Sequence, residues 1–142
     1  MKIEENKYCA INDPADLNKI RSFIEIKAKN FGFSEDDVNK IILAVDEACT
    51  NLIRHSFKQD KNKEFCVYVE TDFNKFIINI QDNGTTFNPL EVPIKNMKEH
   101  LQTFQRGGLG VFIMRTVMDD IIYSPSNDKQ PLNNLKLVKH LN

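Results

Sequence analysis

A single amphipathic stretch constrains the fold of this chain more than any other feature of its sequence. Between Ser34 and Ser56, apolar side chains recur at the three- and four-residue spacing of a helix that buries one face. Ser34, followed by Asp37, is close to a capping box and predicts where the helix begins. The apolar face consists of Val38, Ile41, Ile42, Val45, Cys49, Leu52 and Ile53. A helix with so wide an apolar face needs a second layer to cover it.

The segments around this helix predict that second layer. "KYCAI" is predicted as a first strand, and Asp13 as N-cap and Gly32 as a stop bound another helix. "EFCVYVETDF" and "KFIINIQD", with a short turn between them, predict an antiparallel hairpin. "LGVFIMRTVM" predicts a third helix, and "DDIIYS" and "LKLVKHL" predict two closing strands. The order β-α-α-β-β-α-β-β predicts an α+β fold: a two-layer α/β sandwich whose mixed, mostly antiparallel sheet carries helices on one face.

Length, charge and hydropathy narrow the class of protein. With 142 residues, 41% hydrophobic and 27% charged, the sequence predicts a single soluble domain spanning residues 1–142. A net charge of -1 argues against a nucleic-acid-binding surface. The sequence lacks the run of about eighteen apolar residues that a membrane span requires, and its N-terminus lacks the apolar stretch of a secretion signal. We therefore expect a cytoplasmic protein that does not engage a membrane.

The cysteines predict no special chemistry. Cys9, Cys49 and Cys66 are far apart in the sequence, and each has apolar neighbours. Metal ligands usually lie closer together along a chain. We therefore expect three buried thiols and no cysteine metal site.

Two polar side chains lie on one flank of the long helix. Glu47 and Asn51 are separated by one turn and lie beside the small residues Ala44 and Ala48. An amide oxygen suits Mg²⁺, and a nearby carboxylate is able to deprotonate a hydroxyl group. For either residue taken by itself, a solvated helix flank is the better explanation. His55, one turn further, is more typical of packing or capping and receives no role.

Asp82 ends a strand on the side that carries Phe76, Ile78 and Ile80, which is the predicted core side. A buried carboxylate is costly unless a group donates to it, and the exocyclic amine of a purine is such a donor. The alternative is an aspartate that caps its own loop, because Asn83 and Gly84 form a common turn pair.

Four of the five glycines fall in two places: Gly84 follows a predicted strand, and the other three lie at the start of a predicted helix. Gly107, Gly108 and Gly110, in "RGGLG", open the third helix, and the free N–H groups of a helix N-terminus favour phosphate. Arg106 precedes them and carries a planar fork that fits a terminal phosphate. A tight turn beside a surface arginine is the alternative interpretation. Residues 84–107 show no clear periodicity and predict a long loop, which is usually functional or disordered.

Taken together and in this order, these elements resemble the GHKL ATPase superfamily, and within it the small anti-sigma-factor serine/threonine kinases. "DEACTNLIRHSF" resembles the N-box, "DNGTTFNP" the first glycine box and "RGGLGVFIMRTVMDD" the second. The sequence contains neither a P-loop nor the H-R-D and D-F-G motifs of protein kinases.

The resemblance implies ATP and Mg²⁺ as cofactors, bound beneath a mobile lid at about residues 90–106. It implies Glu47 as general base toward a serine or threonine hydroxyl, Asn51 as the Mg²⁺ ligand, Asp82 as the partner of the adenine amine, and Arg106 beside the terminal phosphate. The ATP-binding residues it implies are Asn51, Asp82, Gly84, Phe87, Gly107, Gly108, Leu109 and Gly110. Many relatives have a small hydroxyl residue in the last strand near the adenine, and the resemblance places Lys136 at that position.

The resemblance also implies partners. These are a sigma factor that is sequestered, an anti-anti-sigma factor that is phosphorylated, and a second copy of the chain in a homodimer. Two other functions stay open on the residues alone. One is a nucleotide-responsive binding module that regulates a transcription or signalling partner without phosphoryl transfer. The other is a structural interaction domain that no longer binds ATP.

Overall fold

The computed structural model describes residues 3–4, 6–57, 63–91 and 106–142. The described helices and strands, in chain order, are β1 (Ile3–Glu4), β2 (Lys7–Ile11), α1 (Pro14–Phe31), α2 (Glu35–Asn51), β3 (Glu64–Asp72), β4 (Lys75–Asp82), α3 (Arg106–Val117), β5 (Asp120–Ser124) and β6 (Asn133–His140). The strands form one antiparallel sheet in the order β1-β2-β3-β4-β6-β5. The predicted α+β architecture is confirmed, and β1 is an addition to it.

Local signals in the sequence set the helix ends. Asp13 accepts a hydrogen bond from the Ala15 N–H at 2.9 Å, and α1 ends at Gly32, whose φ of 117° is left-handed. The Ser34 hydroxyl accepts a hydrogen bond from the Asp37 N–H at 3.2 Å at the start of α2. Both predicted caps are therefore present, because capping depends only on residues within one turn.

The core lies between α2 and the inner face of the sheet. Helix α2 contacts both α1 and α3, and its Val38, Ile41 and Val45 side chains are buried. The matching residues of the sheet lie at every second position of a strand, on the face toward α2. They include Tyr8, Val67, Phe76, Ile78, Ile80 and Leu137, all buried. Within the described part of the chain, no helix has both the length and the apolar character needed to cross a bilayer.

The last turn of α2 widens into a π-helical segment, Leu52–Ser56. The Phe57 N–H donates to the Leu52 carbonyl at 3.1 Å, which is the five-residue spacing of a π-helix. The prediction that the helix ends near Ser56 is confirmed, although its final turn has a different pitch. This turn is where the helix meets the loop that follows β4.

The expectation of three buried thiols is wrong for two of the cysteines. Cys9 and Cys66 face each other in the β2–β3 register and form a disulfide with an S–S distance of 2.09 Å. Cys49 keeps a buried thiol, and burial raises its pKa. Sequence spacing missed the pair because strand register brings together residues that are 57 positions apart.

The segment between β4 and α3 is described only in part. Pro89–Glu91 forms a short 3-10 turn. The predicted lid at residues 90–106 falls almost wholly on residues 92–105, which lie outside the described residues.

Candidate functional site

A cleft lies between the C-terminal end of α2 and the inner face of the sheet at the end of β4. Its polar lining consists of Asn51, Ser56, Asp82 and Tyr123. Its apolar walls are formed by Ala48, Leu52, Phe87, Pro89 and Leu135. Helix, sheet and loop therefore each contribute one side, and two of the polar groups, Asn51 and Asp82, were predicted site residues.

Asp82 places a carboxylate on the core side of the sheet, as predicted, where it is only 5% exposed. Its Oδ1 accepts hydrogen bonds from the Gly84 N–H at 2.8 Å and from Asn133 Nδ2 at 3.1 Å. Burial raises the pKa of the Asp82 carboxyl, and the hydrogen bonds from Asn133 and Gly84 and the charge of Lys63 oppose that change. No described residue donates to Oδ2, so one oxygen of a buried carboxylate remains for a ligand.

Asn133 is the residue that faces Asp82 across the sheet, and its side chain is completely buried. Nδ2 donates to Asp82 and, at 3.0 Å, to the Gly84 carbonyl. Oδ1 accepts from the Thr86 hydroxyl at 3.2 Å and from the Ser126 N–H at 2.8 Å. One amide thus ties the carboxylate to the loop that follows β4.

In the last strand, Asn133 and not Lys136 lies beside Asp82. The expected placement of Lys136 near the adenine is therefore wrong. Lys136 pairs with Asn79 and Ile122 in the sheet register. Because side chains alternate along a strand, Lys136 lies on the outer face, opposite to Asp82 and Asn133. The predicted strand began two residues too late to include Asn133.

Gly84 allows the loop to touch the end of α2. A Cβ at this position would lie 2.8 Å from the Ser56 carbonyl oxygen and 2.9 Å from the Phe57 ring. The neighbouring Thr85 N–H donates to the same Ser56 carbonyl at 3.0 Å. The close approach of two backbone segments therefore requires a glycine here. This requirement does not depend on any role of Gly84 in admitting an adenine base.

Phe87 is anchored from two sides. Its N–H donates to the Tyr123 hydroxyl at 3.1 Å, and its ring stacks on His55 with centroids 4.2 Å apart. Burial, and to a lesser extent the charge of Arg54, lowers the pKa of His55, which favours the neutral imidazole in the stack. His55 and Tyr123 were not predicted, because neither contact follows a local sequence pattern.

Glu47, Asn51 and Gly110 meet where α2 crosses α3. A Cβ on Gly110 would lie 2.5 Å from Glu47 Oε2 and 3.8 Å from Asn51 Nδ2. Asn51 is 4% exposed, and its Nδ2 has no hydrogen-bond partner within the described part of the chain. A buried amide without a partner is uncommon and points to a missing ligand. Because the oxygen and nitrogen of an amide are assigned from their surroundings, a flipped Asn51 presents its oxygen there.

The second glycine box forms the first turn of α3. Arg106, Gly107, Gly108 and Leu109 begin the helix, and the buried Gly110 follows them. The side chains of Arg106 and Leu109 lie outside the described residues, so the predicted phosphate contact of Arg106 stays a prediction.

The cleft is narrow. The space within it is about 20 Å³, which is enough for roughly one water molecule. A purine is several times larger, so it enters only when one wall moves. Phe87 and Pro89 belong to the segment after β4 and form one wall of the cleft. Asn51 and Asp82, on the other walls, belong to helix α2 and strand β4.

Comparisons with known proteins point to one protein family. Residues 11–139 match the family of the histidine kinase-like ATPase domain. The serine-protein kinase RsbW of Listeria innocua is 33% identical over 98 residues, which are 66% of this chain and 62% of that protein. The same values hold for the serine-protein kinase RsbW of Listeria monocytogenes. That of Bacillus licheniformis is 32% identical over 113 residues, 76% of this chain and 70% of that protein. The chain therefore spans less than two thirds of the length of the Listeria relatives.

Proposed function

Because this chain belongs to the histidine kinase-like ATPase family, we propose that it is an ATP-dependent protein serine/threonine kinase and anti-sigma factor. In this role it takes part in a partner switch in the cytoplasm, sequestering a sigma factor and phosphorylating an anti-anti-sigma factor. Relatives named serine-protein kinase support transfer to a protein hydroxyl. The observation that carries the proposal is Asp82, a buried carboxylate that lines the cleft, with two donors on one oxygen and no described donor to the other.

In the proposed complex, adenine occupies the cleft after Phe87 and Pro89 move outward. The Asp82 Oδ2 atom accepts a hydrogen bond from the adenine amine. Ala48, Leu52 and Leu135 contact the ring, since apolar walls with a few oriented polar groups are typical of nucleotide sites.

The residues beside the cleft fit a triphosphate and a metal ion. The unpartnered amide of Asn51 is where Mg²⁺ would be held. Mg²⁺ supplies charge neutralisation to the phosphate oxygens. The N–H groups of Gly107, Gly108 and Gly110 lie in the first turns of α3, where the helix dipole favours anions. Arg106 begins the same helix and is proposed to bind the terminal phosphate.

Glu47 is the proposed general base. It lies one helical turn before Asn51, and its Oε2 lies 2.5 Å from where a Cβ on Gly110 would be, so its carboxylate is next to the proposed phosphate end of the site. The partner's hydroxyl gives its proton to Glu47 while its oxygen bonds to the terminal phosphorus. The bond from that phosphorus to ADP breaks, and ADP leaves.

The proposed assembly is a homodimer, with the lid at about residues 90–106 closing over the nucleotide. These features are taken from the family resemblance, since residues 92–105 and any second copy lie outside the structure.

Substitution of Glu47 tests the kinase. With Mg-ATP and a candidate anti-anti-sigma protein, Glu47→Gln should bind ATP as the parent does and transfer phosphate roughly 100-fold more slowly or worse. Asp36 is an exposed acidic residue at the start of the same helix. The variant Asp36→Asn is therefore the matched control and should behave like the parent. Equal transfer by Glu47→Gln would show that Glu47 is not the base. ATP-dependent association without any transfer by the parent would favour the nucleotide-responsive binding module.

A further inference from the structure

Asn133 has no hydrogen-bonding capacity left for a ligand. Both protons of its Nδ2 are used, one by Asp82 at 3.1 Å and one by the Gly84 carbonyl at 3.0 Å. Its Oδ1 accepts two hydrogen bonds, from Thr86 and from the Ser126 N–H. An amide has two donors and two acceptor sites, so this side chain is fully satisfied inside the protein. It therefore acts on a ligand only through the groups that it holds.

The group it holds is the base-facing carboxylate. Oδ1 of Asp82 receives one hydrogen bond from Asn133 and one from the Gly84 N–H. The same Asn133 amide also donates to the Gly84 carbonyl, so it links strand β6 to the end of β4 and to the loop that follows. With Oδ1 saturated in this way, the carboxylate cannot turn about its last bond without breaking two hydrogen bonds. Oδ2 is left as an acceptor with a fixed direction.

We propose that Asn133 is a positioning residue that sets the base selectivity of the cleft by holding Asp82 as a pure acceptor. The ligand class selected is a purine nucleotide with an amine donor at C6, in preference to a purine that lacks that amine. This inference rests on the proposed nucleotide site and adds to it the residue that makes the site selective.

The physical reason is the protonation and orientation of Asp82. An ionised Oδ2 that meets a C6 hydrogen in place of an amine stays unpaired and buried, which is costly. Without Asn133, Oδ1 keeps only the Gly84 N–H as a donor, so the carboxyl turns more easily and is more readily protonated. A neutral carboxyl has its own proton to donate and no longer requires a donor on the base. Loss of Asn133 should therefore lower selectivity more than it lowers affinity for any single purine.

The experiment compares two nucleotides that differ only at C6: ATP and purine riboside 5′-triphosphate, in which hydrogen replaces the amine. Calorimetry on the full chain gives the two dissociation constants for the parent, Asn133→Ala, Asn133→Thr and Asn134→Ala. Asn134 is the matched control, since it is the next residue of β6 and donates to Asn79 on the outer face. The ratio of the two constants does not depend on the fraction of folded protein, so a destabilised variant still gives an answer.

We expect the parent to bind ATP roughly tenfold or more tightly than purine riboside 5′-triphosphate, because only ATP donates a hydrogen bond to the charged carboxylate. The ratio should fall toward one in Asn133→Ala, take an intermediate value in Asn133→Thr, which restores a single donor, and stay unchanged in Asn134→Ala. A parental ratio in both Asn133 variants would overturn the inference. If Asn133→Ala does not fold, Asn133→Thr alone decides it.

Asp82→Asn separates this inference from the proposed function. If the parent does not bind ATP, or if Asp82→Asn binds it equally well, the nucleotide site itself is wrong. If Asp82→Asn loses ATP while both Asn133 variants keep the parental ratio, the site stands and only the role of Asn133 is refuted.

Discussion

At the scale of single residues, the candidate site depends on buried polar groups with incomplete partners. Asp82 is buried, and one of its two carboxylate oxygens accepts both of its hydrogen bonds. Asn51 is also buried, and its amide nitrogen has no hydrogen-bond acceptor among the described residues. Such groups cost free energy in the folded chain unless a ligand completes them. Their cost to the fold is what makes both residues candidates for binding rather than for stability.

The raised pKa of Asp82 predicts two pH effects of opposite sign. Between the ordinary pKa of a carboxyl and the higher value in the fold, the folded chain holds a proton that the unfolded chain has lost. The free energy of unfolding should therefore fall as pH rises through that interval. The proposed ATP site needs the ionised form of Asp82, so ATP affinity should instead rise with pH over the same interval.

Denaturant titrations and calorimetry across acidic pH measure both effects. The difference between the parent and Asp82→Asn isolates this carboxyl from the others, and Asp36→Asn at the exposed start of α2 is the control. A pH dependence of stability that is identical in the parent and in Asp82→Asn would contradict the assignment.

At the scale of elements, the site is a joint between the end of α2 and the loop after β4. The π-helical turn presents the Ser56 carbonyl to Thr85 and the His55 ring to Phe87. Gly84 is the contact point, because its backbone lies against Ser56 and Phe57. The joint determines where Asp82 and Phe87 lie relative to Asn51.

Gly84→Ala should disrupt this joint. The new methyl group would overlap the Ser56 carbonyl and the Phe57 ring, and overpacking of this kind costs about 1–3 kcal/mol. We expect a lower denaturation midpoint and weaker ATP binding. Gly32→Ala is an instructive comparison: it strains a left-handed position at the end of α1, so it should lower stability and leave ATP affinity per folded molecule unchanged. Parental stability and affinity in Gly84→Ala would rule out the close approach.

At the scale of the whole molecule, one antiparallel sheet connects the site to the opposite edge of the protein. Strand β4 carries Asp82 and pairs with both β3 and β6, and the Cys9–Cys66 disulfide joins β2 to β3 on the outer face. Strand pairing therefore continues without a break from the disulfide to the cleft.

Reduction of this disulfide should lower global stability. A cross-link between residues 57 positions apart restricts the unfolded chain, and the chain-entropy treatment gives about 4 kcal/mol for a loop of that length. Denaturation of the parent with and without a thiol reductant measures the loss, and the Cys9→Ser/Cys66→Ser double variant should not respond to reductant. Because cytoplasmic thiols are normally kept reduced, the same comparison gives the stability in a reducing compartment. An unchanged midpoint in the reduced parent would refute the expectation.

Much of the fold and part of the site were predictable from local patterns. Capping residues mark Asp13, Gly32 and Ser34 as helix ends, and two-residue alternation places Asp82 on the core side of β4. These signals extend over one turn or one strand, so they can be recognised without knowledge of the rest of the chain. The same patterns brought Glu47 and Asn51 to one flank of α2.

Only the tertiary structure decided which distant residues meet. The β4–β6 register places Asn133 and not Lys136 beside Asp82, and the β2–β3 register joins Cys9 to Cys66. A shift of one residue in register would turn every side chain of a strand to the other face. Sequence periodicity therefore determined which face of each element is buried. Strand alignment, which depends on packing of the whole sheet against α2, determined the partners of each buried group.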